Sequence, residues 1–331
     1  MTCIARSGRR STAAAVSLLA GLALAACGGG SDTVEETESG LVSISVMRPA
    51  NTGFEPVVLA DEQGFFEEQG LEVTFVEASA DTSANIPRLL NGEVQFVNGG
   101  APQAIKAVAN GVEVRLITGV QGSTAGAAPT DGLLVPPGSA VTSFADLEGK
   151  KIGLSGIGGT TNLVNNILAR QAGVDPSAFT YVNLDPSALQ EAASSGQVDA
   201  ILPFGLYYSK AVAEGFVSLT DGTTELPGTL QIGYLTTTEY LDEHADIVEK
   251  FNAAIAEGVA YANDNPDAVR DTQREYTELP DDYIDAMEPI PYSTEINVDT
   301  THALAEELVK IEAIDAVPAD EDIFWSEAPT T

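Results

Sequence analysis

Cysteine is almost missing from this chain of 331 residues: Cys3 and Cys27 are the only two, and both precede the first predicted strand. The body that follows can therefore hold no disulfide, no thiolate nucleophile and no cysteine metal site. Histidine is as sparse. His244 and His302 sit in stretches patterned as helices, neither with a second histidine one turn away, so a helical metal-ligand pair is excluded. No serine, histidine and aspartate grouping is discernible along the chain. The run Asp242, Glu243, His244, Asp246 reads as a solvated helix face. Basic residues are few, 15 against 49 acidic ones, for a net charge of −34. Such an acidic surface repels nucleic acid, which is excluded as a partner, and anionic lipid as well. Long apolar runs are lacking too: Ala13 to Ala26 is too short to remain as a transmembrane anchor. Tryptophan occurs once, as Trp325, and is expected to pack a helix end onto the body.

What the start of the chain does have is a basic, then apolar, then small-residue order. Arg6, Arg9 and Arg10 precede the apolar stretch, and Leu24, Ala25, Ala26 and Cys27 lead into Gly28, Gly29 and Gly30. That is the order of a secretory leader. It resembles a bacterial lipobox, which implies a signal peptide over residues 1–26 and lipidation of Cys27. Residues 27–40, small, polar and acidic without apolar periodicity, read as a flexible tether. The expected location is exported and lipid-anchored on the outer face of the cell membrane, held by more than one acyl chain.

Beyond the tether, strands alternate with helices, the signature of an α/β fold with parallel pairing and helical crossovers. Val42, Ile44 and Val46 predict a strand, and Pro56 opens a helix through Ala60, where its missing N–H costs nothing. Strands follow at Glu72 to Val76, Val94 to Val97 and around Leu116 and Ile117, with a helix over Ser83 to Leu90. A second unit predicts strands at Lys151 to Leu154, Thr180 to Leu184 and Val198 to Leu202, with helices at Thr160 to Gln171 and Ser187 to Ser194. Ser143 with Asp146 is a helix-capping pair. The chain returns through Leu230 to Thr236 and is then mostly helical, with Asn265 before Pro266 marking a helix start. One echo stands out: Leu90, Asn91, Gly92, Glu93, Val94 is answered by Ser194, Ser195, Gly196, Gln197, Val198, each a glycine ending a helix before a buried strand. The echo suggests two lobes of like construction.

Three segments carry a family likeness. Gly64, Phe65, Phe66, Glu67, Glu68, Gln69, Gly70, Leu71, Glu72, Val73 is one; Phe144, Ala145, Asp146, Leu147, Glu148, Gly149, Lys150, Lys151, Ile152, Gly153 is the next; Gly196, Gln197, Val198, Asp199, Ala200 is the third. In this order the chain resembles the solute-binding proteins for nitrate, sulfonate, taurine and thiamine-precursor pyrimidines. The resemblance implies a two-lobed type II periplasmic binding protein fold, with two inter-lobe crossovers and a ligand cleft. Lobe one would be residues 41–131 plus 230–331, and lobe two residues 132–229. It implies a monomeric substrate-binding lipoprotein of an ABC importer, with a permease and its ATPase as partners, no cofactor, no metal and no catalysis. The ligand class would be a small organic or oxyanionic molecule of the sulfonate, nitrate or taurine type.

Asn51 and Thr52, with Ala60 and Gly64, together with Tyr181, Val182, Asn183 and Leu184, also resemble the pyrimidine-binding branch. The branch's histidine is replaced by Phe54, and its late acidic partner by Ser209 and Lys210. A pyrimidine thiamine precursor, or another aromatic heterocycle, is therefore the alternative ligand; a sensor or scaffold on the same fold is the alternative role. The iron-dependent pyrimidine synthase on this fold needs a cysteine-rich segment, which this chain lacks.

Open α/β sheets bind ligands beyond the carboxyl ends of their strands. Four loops qualify as candidate contacts. The first offers Arg48, Asn51, Thr52 and Phe54; the second Asn98, Gly99, Gly100 and Ala101; the third Ser155, Gly158, Gly159, Thr160 and Thr161; the fourth Phe204 and Tyr207. The glycine-rich third loop either aims N–H groups and threonine hydroxyls at an anion, aided by the helix terminus, or is a plain tight turn. Arg48 is either the ligand's ion partner or a surface residue. Phe54, Phe204 and Tyr207 either stack on a ring or pack.

Overall fold

The computed structural model describes Thr37 and residues 39–48, 53–78, 85–277 and 279–331. The expected leader, Cys27, most of the tether, Asn51 and Thr52 lie outside these residues. The first half-body runs β1 (Val42–Arg48), α1 (Glu55–Glu62), α2 (Phe65–Glu68), β2 (Leu71–Glu77), α3 (Asn85–Leu90), β3 (Val97–Gly99), α4 (Ala101–Ala109) and β4 (Val114–Gly122). Next come β5 (Leu134–Val135), β6 (Lys151–Leu154), α5 (Thr160–Gln171), β7 (Thr180–Asn183), α6 (Leu189–Ser194), β8 (Ala200–Leu202), α7 (Leu206–Ala213) and β9 (Val217–Ser218). The chain closes with β10 (Leu230–Thr237), α8 (Thr238–Asp264), α9 (Pro266–Tyr276), α10 (Asp281–Ala286), α11 (Val298–Lys310) and α12 (Asp320–Ile323). Among the described residues no helix is long and apolar enough to cross a membrane.

Among the described residues the strands form two sheets on one plan, counting the β1–β2 ribbon and the three-stranded β3–β10–β4 group as one through their bridge. In the first, β2 pairs with β1, a bridge from Val46 to Phe96 carries β1 to the start of β3, and β10 lies between β3 and β4. In the second the order is β7, β6, β8, β5, β9. Each therefore places a parallel unit beside an inserted strand and a last edge strand. The inserted strands correct the expectation of uniform parallel pairing: β10 is antiparallel to β3 and β4, and β5 is antiparallel to β8 and β9. The reason is delivery. A strand fed by the chain crossing from the other sheet, with no helical crossover to turn it round, enters its sheet running backwards.

The glycine echo is structural. Gly92 and Gly196 both take left-handed backbone, φ 71° and 75°, and their N–H groups close the preceding helix onto Leu89 and Ala193. Three residues on, the Gln95 side chain accepts the Ser45 N–H at 2.8 Å, and the Asp199 side chain accepts the Lys151 N–H at 2.9 Å. A polar side chain at the same place thus pins the adjoining parallel strand in both sheets. Ser143 and Asp146 cap as expected, with Asp146 accepting the Ser143 N–H, but the turn they start is a single 3-10 turn.

The two crossovers are tied to each other. Ser123 N–H donates to the Thr229 carbonyl, Gly228 N–H to the Ser123 carbonyl, and the Ser123 hydroxyl to the Leu226 carbonyl. One apolar core reaches through both sheets: Val97, Ile105 and Leu116 join Ile152, Leu163 and Ala200 by way of Leu304 and Leu308 on α11. A second core, around Phe66, Phe96 and Phe251, fixes α1, α2 and α8 to the outer face of the first sheet; the Phe96 and Phe251 rings stack 4.0 Å apart. Trp325 lies against both, as the packing expectation required, and its backbone N–H donates to the Leu116 carbonyl at the sheet edge.

Candidate functional site

The carboxyl ends of β1 and β3 in the first sheet, and of β6 and β8 in the second, are the places where this topology leaves room for a ligand. At the end of β1, the Arg48 guanidinium lies 5.0 Å from the centre of the Phe54 ring and 5.3 Å from that of Tyr276. The rings meet edge to face at 6.2 Å and hold the cation by its attraction to their π faces. Phe54 is fully buried. It carries Arg48 rather than offering a free ring. Arg88, Arg115, Arg170, Arg270 and Arg274 all have carboxylate partners. Among the described residues, Arg48 is the arginine without one, and its Nη1 is buried with no hydrogen-bond partner.

The second and third loops meet. A side-chain carbon placed on Gly100 would lie 3.2 Å from Thr160 Oγ1, so the amino ends of α4 and α5 abut. Lys106 on α4 donates to the Gly158 carbonyl at 3.1 Å, and burial pushes its ammonium below the usual lysine range. Two N–H groups that the glycine-rich loop would aim at an anion are already committed: that of Gly158 to Asn162 Oδ1 at 2.9 Å, and that of Gly159 to the Gly156 carbonyl. Ser155, Thr160 and Thr161 stay partly exposed. Asn98 and Gly99 correct the placement of the second loop: they belong to β3, opposite Tyr234 and Gly233 on β10, and Asn98 Oδ1 is buried without a partner. Gly100 caps α4, and Ala101 is fully buried. In the fourth loop Phe204 is 40% exposed, and Tyr207, which lies in the first turn of α7 rather than in the loop, is half-buried, so these rings remain accessible.

Sequence reasoning missed the polar groups beside these loops. Glu55, fully buried at the start of α1, accepts the Gly53 N–H at 2.6 Å and Gln273 Nε2 at 2.8 Å, with the Tyr292 hydroxyl nearby. Burial raises its pKa, and these donors oppose the rise. Between the crossovers runs a chain of hydrogen bonds: Gln121 Nε2 to Gln231 Oε1 at 2.9 Å, Gln231 Nε2 to Thr223 Oγ1 at 2.8 Å, and Thr223 Oγ1 to Asp131 Oδ1 at 2.6 Å. Burial drives the Asp131 carboxyl up to about 6, although Thr223 hydrogen bonds pull it down. Proximity of Pro56 to Glu55 was visible as a helix start; the burial was not, because Gln273 and Tyr292 come from the far end of the chain.

A cavity of about 420 Å³ lies between the first crossover at Thr124 to Ala127, the end of α8, α9 and the segment Met287 to Tyr292. None of the candidate contact residues among the described residues lines it.

Residues 51–269 match the model of the family described as NMT1/THI5 like. The chain is 30% identical over 162 residues to a Haemophilus influenzae protein named for thiamine biosynthesis, a match covering 49% of each. It is 30% identical over 129 residues to the 4-amino-5-hydroxymethyl-2-methylpyrimidine phosphate synthase of Legionella pneumophila, 39% of this chain and 38% of that one. The chain spans about half the length, or less, of the curated relatives it matches. In fold it is similar to the periplasmic aliphatic sulphonate binding protein of Escherichia coli, with a TM-score of 0.72 at 19% identity over 86% of this chain and 92% of that one. The periplasmic nitrate-binding protein of Synechocystis PCC 6803 follows at 0.64, with 13% identity over 83% of each. These likenesses establish a two-lobed periplasmic binding protein fold.

Proposed function

The chain belongs to the NMT1/THI5-like family, and from that premise we propose that it is the substrate-binding subunit of an ABC importer, capturing a small oxyanion between two lobes. Lobe one comprises residues 41–131 and 230–331, and lobe two residues 132–229. The strand ends of the two sheets form the walls of the cleft. Cys27 carries the lipid that holds the protein on the outer face of the membrane, and the permease with its ATPase receives the cargo.

One observation carries the ligand class. In a protein with 49 acidic residues, the Arg48 guanidinium stands between two rings with Nη1 buried, unpaired and free of any carboxylate. A partly buried guanidinium with no carboxylate beside it is open to an incoming anion, which adds charge-assisted hydrogen bonds. Thr160 and Thr161 hydroxyls at the start of α5, beside the second sheet, supply further donors. Binding that touches both lobes favours the closed form by its differential affinity, and the permease reads that form. Chemistry on the cargo is not part of this reading: His244 and His302 lie on α8 and α11, not on the strand ends.

Thermal-shift screening of the soluble chain against nitrate, alkanesulfonates, taurine and aminopyrimidines tests the proposal. A ligand at 100 times its Kd stabilises the native state by about 2.7 kcal/mol. The expected result is a rise in Tm with an oxyanion class, lost in Arg48→Gln. Stabilisation by pyrimidines alone favours the second reading, which the names of the pyrimidine synthase relatives support. No stabilisation by any class contradicts both.

A further inference from the structure

Glu55 is fully buried at a place where a helix start is served as well by an exposed carboxylate. Burial penalises its charged form. Its partners show what it holds. Oε2 accepts the Gly53 N–H at 2.6 Å, and Oε1 accepts Gln273 Nε2 at 2.8 Å. Gly53 is a left-handed turn, φ 86°, two residues before α1, and a side-chain carbon there would lie 2.0 Å from Ile232 Cδ1 on β10. Gln273 lies on α9, three residues before Tyr276.

These two bonds fall beside the two rings that enclose Arg48. Phe54 stands between Gly53 and Glu55 in the chain, so the bond that closes Gly53 onto Glu55 fixes the backbone carrying that ring. Tyr276, three residues beyond Gln273, shares its face of α9, so the Gln273 amide sets where that ring meets α1. The tip of the ring is tied as well: the Tyr276 hydroxyl donates to Glu62 Oε1, at the other end of α1, at 3.3 Å. Both rings are thus mounted on α1, Phe54 by chain connection and Tyr276 by hydrogen bonds at its root and its tip. Charge at position 55 is not what the mounting needs. A glutamine there can accept from the Gly53 N–H and donate to a turned-over Gln273 amide.

We propose that Glu55 is a positioning residue of the anion site: through Gly53 and Gln273 it holds Phe54 and Tyr276 at the separation that seats the Arg48 guanidinium between them. The proposal rests on the reading of Arg48 as the ion partner of the cargo. An arginine side chain gives up rotamer freedom when it is immobilised on a ligand, and a cage that selects its conformation beforehand removes that loss from binding.

The Arg48 Nε–H signal, followed by ¹⁵N-edited NMR of the ligand-free soluble chain and identified by its loss in Arg48→Gln, tests this. Ring currents from the two faces are expected to shift it upfield of an exposed arginine in the parent. The shift is expected to persist in Glu55→Gln and to collapse in Glu55→Ala and in Gln273→Ala. A parent signal without the shift overturns the cage whether or not any variant folds. A signal that stays shifted in either folded alanine variant overturns the role of Glu55, and so does one that collapses in folded Glu55→Gln. Affinity for ethanesulfonate, read by calorimetry, is expected to fall about tenfold in the alanine variants and to hold in Glu55→Gln. Unchanged affinity in a variant whose arginine signal has collapsed overturns the link to capture. A parent that shows the shifted signal but binds no anion contradicts the anion reading and leaves the cage standing, because the arginine signal is read without ligand.

Discussion

Asp131 is 2% exposed, and its carboxyl titrates at about 6 because burial penalises the ion more than the Thr223 hydrogen bonds favour it. The unfolded chain returns it to its ordinary value of 3.8. Between those values the native state binds the proton and the unfolded state releases it, so this residue adds stability as pH falls through about 6 and withholds it above. The full swing is about 3 kcal/mol at ~1.4 kcal/mol per unit. Asp131→Asn keeps an oxygen for the Thr223 hydroxyl and loses the charge. Its Tm is expected to exceed the parent's near pH 8 by several degrees, with the gap closing toward about pH 4. A gap of equal size at both pH values contradicts the assignment.

Among elements, the contact of α8 with α1 depends on a missing side chain. A carbon added at Gly258 would lie 2.2 Å from the Pro56 carbonyl oxygen and 2.8 Å from Ala60 Cβ. Alanine in an open helix would gain about 1 kcal/mol over glycine, but backbone cannot swing aside as a flexible side chain does. Gly258→Ala is expected to lower stability by about 1–2 kcal/mol, the overpacking penalty outweighing the propensity gain. Urea denaturation reads it as a lower midpoint at unchanged slope, and an unchanged or raised midpoint contradicts it. Most elements of this fold were legible because apolar period distinguishes strand from helix: β1, β6, β10 and α5 fall within a residue or two of the pattern, and α9 starts at the Pro266 that Asn265 marks. The strands β5 and β9 were not, since two residues carry no period. Arg48 was legible as a lone base after a strand in an acidic chain. Its cage was not, because Tyr276 arrives from α9, more than 200 residues on.

For the whole molecule, the two sheets are joined by more than their crossovers. Glu307 on α11 is fully buried and accepts from Arg170 on α5: Nε is shared between Oε2 at 3.1 Å and Oε1 at 3.3 Å, and Nη2 donates to Oε1 at 3.3 Å. Removing the arginine leaves a buried carboxylate with only Lys310 at 3.8 Å. Arg170→Met is therefore expected to cost about 3 kcal/mol, and Arg170→Met with Glu307→Met considerably less, because a pair replaced by apolar groups leaves no charge stranded. Equal losses in the single and double variants, measured by chemical denaturation, contradict that account. The joint lies between α5 and the helix that shares a core with both sheets.

The claim on which the functional reading rests is reversible capture of an anion at Arg48, with no bond of the cargo changed. Native mass spectrometry of the chain incubated with the same set of nitrate, alkanesulfonates, taurine and aminopyrimidines tests it directly. The account predicts one added mass equal to an unmodified oxyanion, present in the parent and absent in Arg48→Gln. An adduct that survives Arg48→Gln, or one whose mass is that of an altered compound, contradicts it.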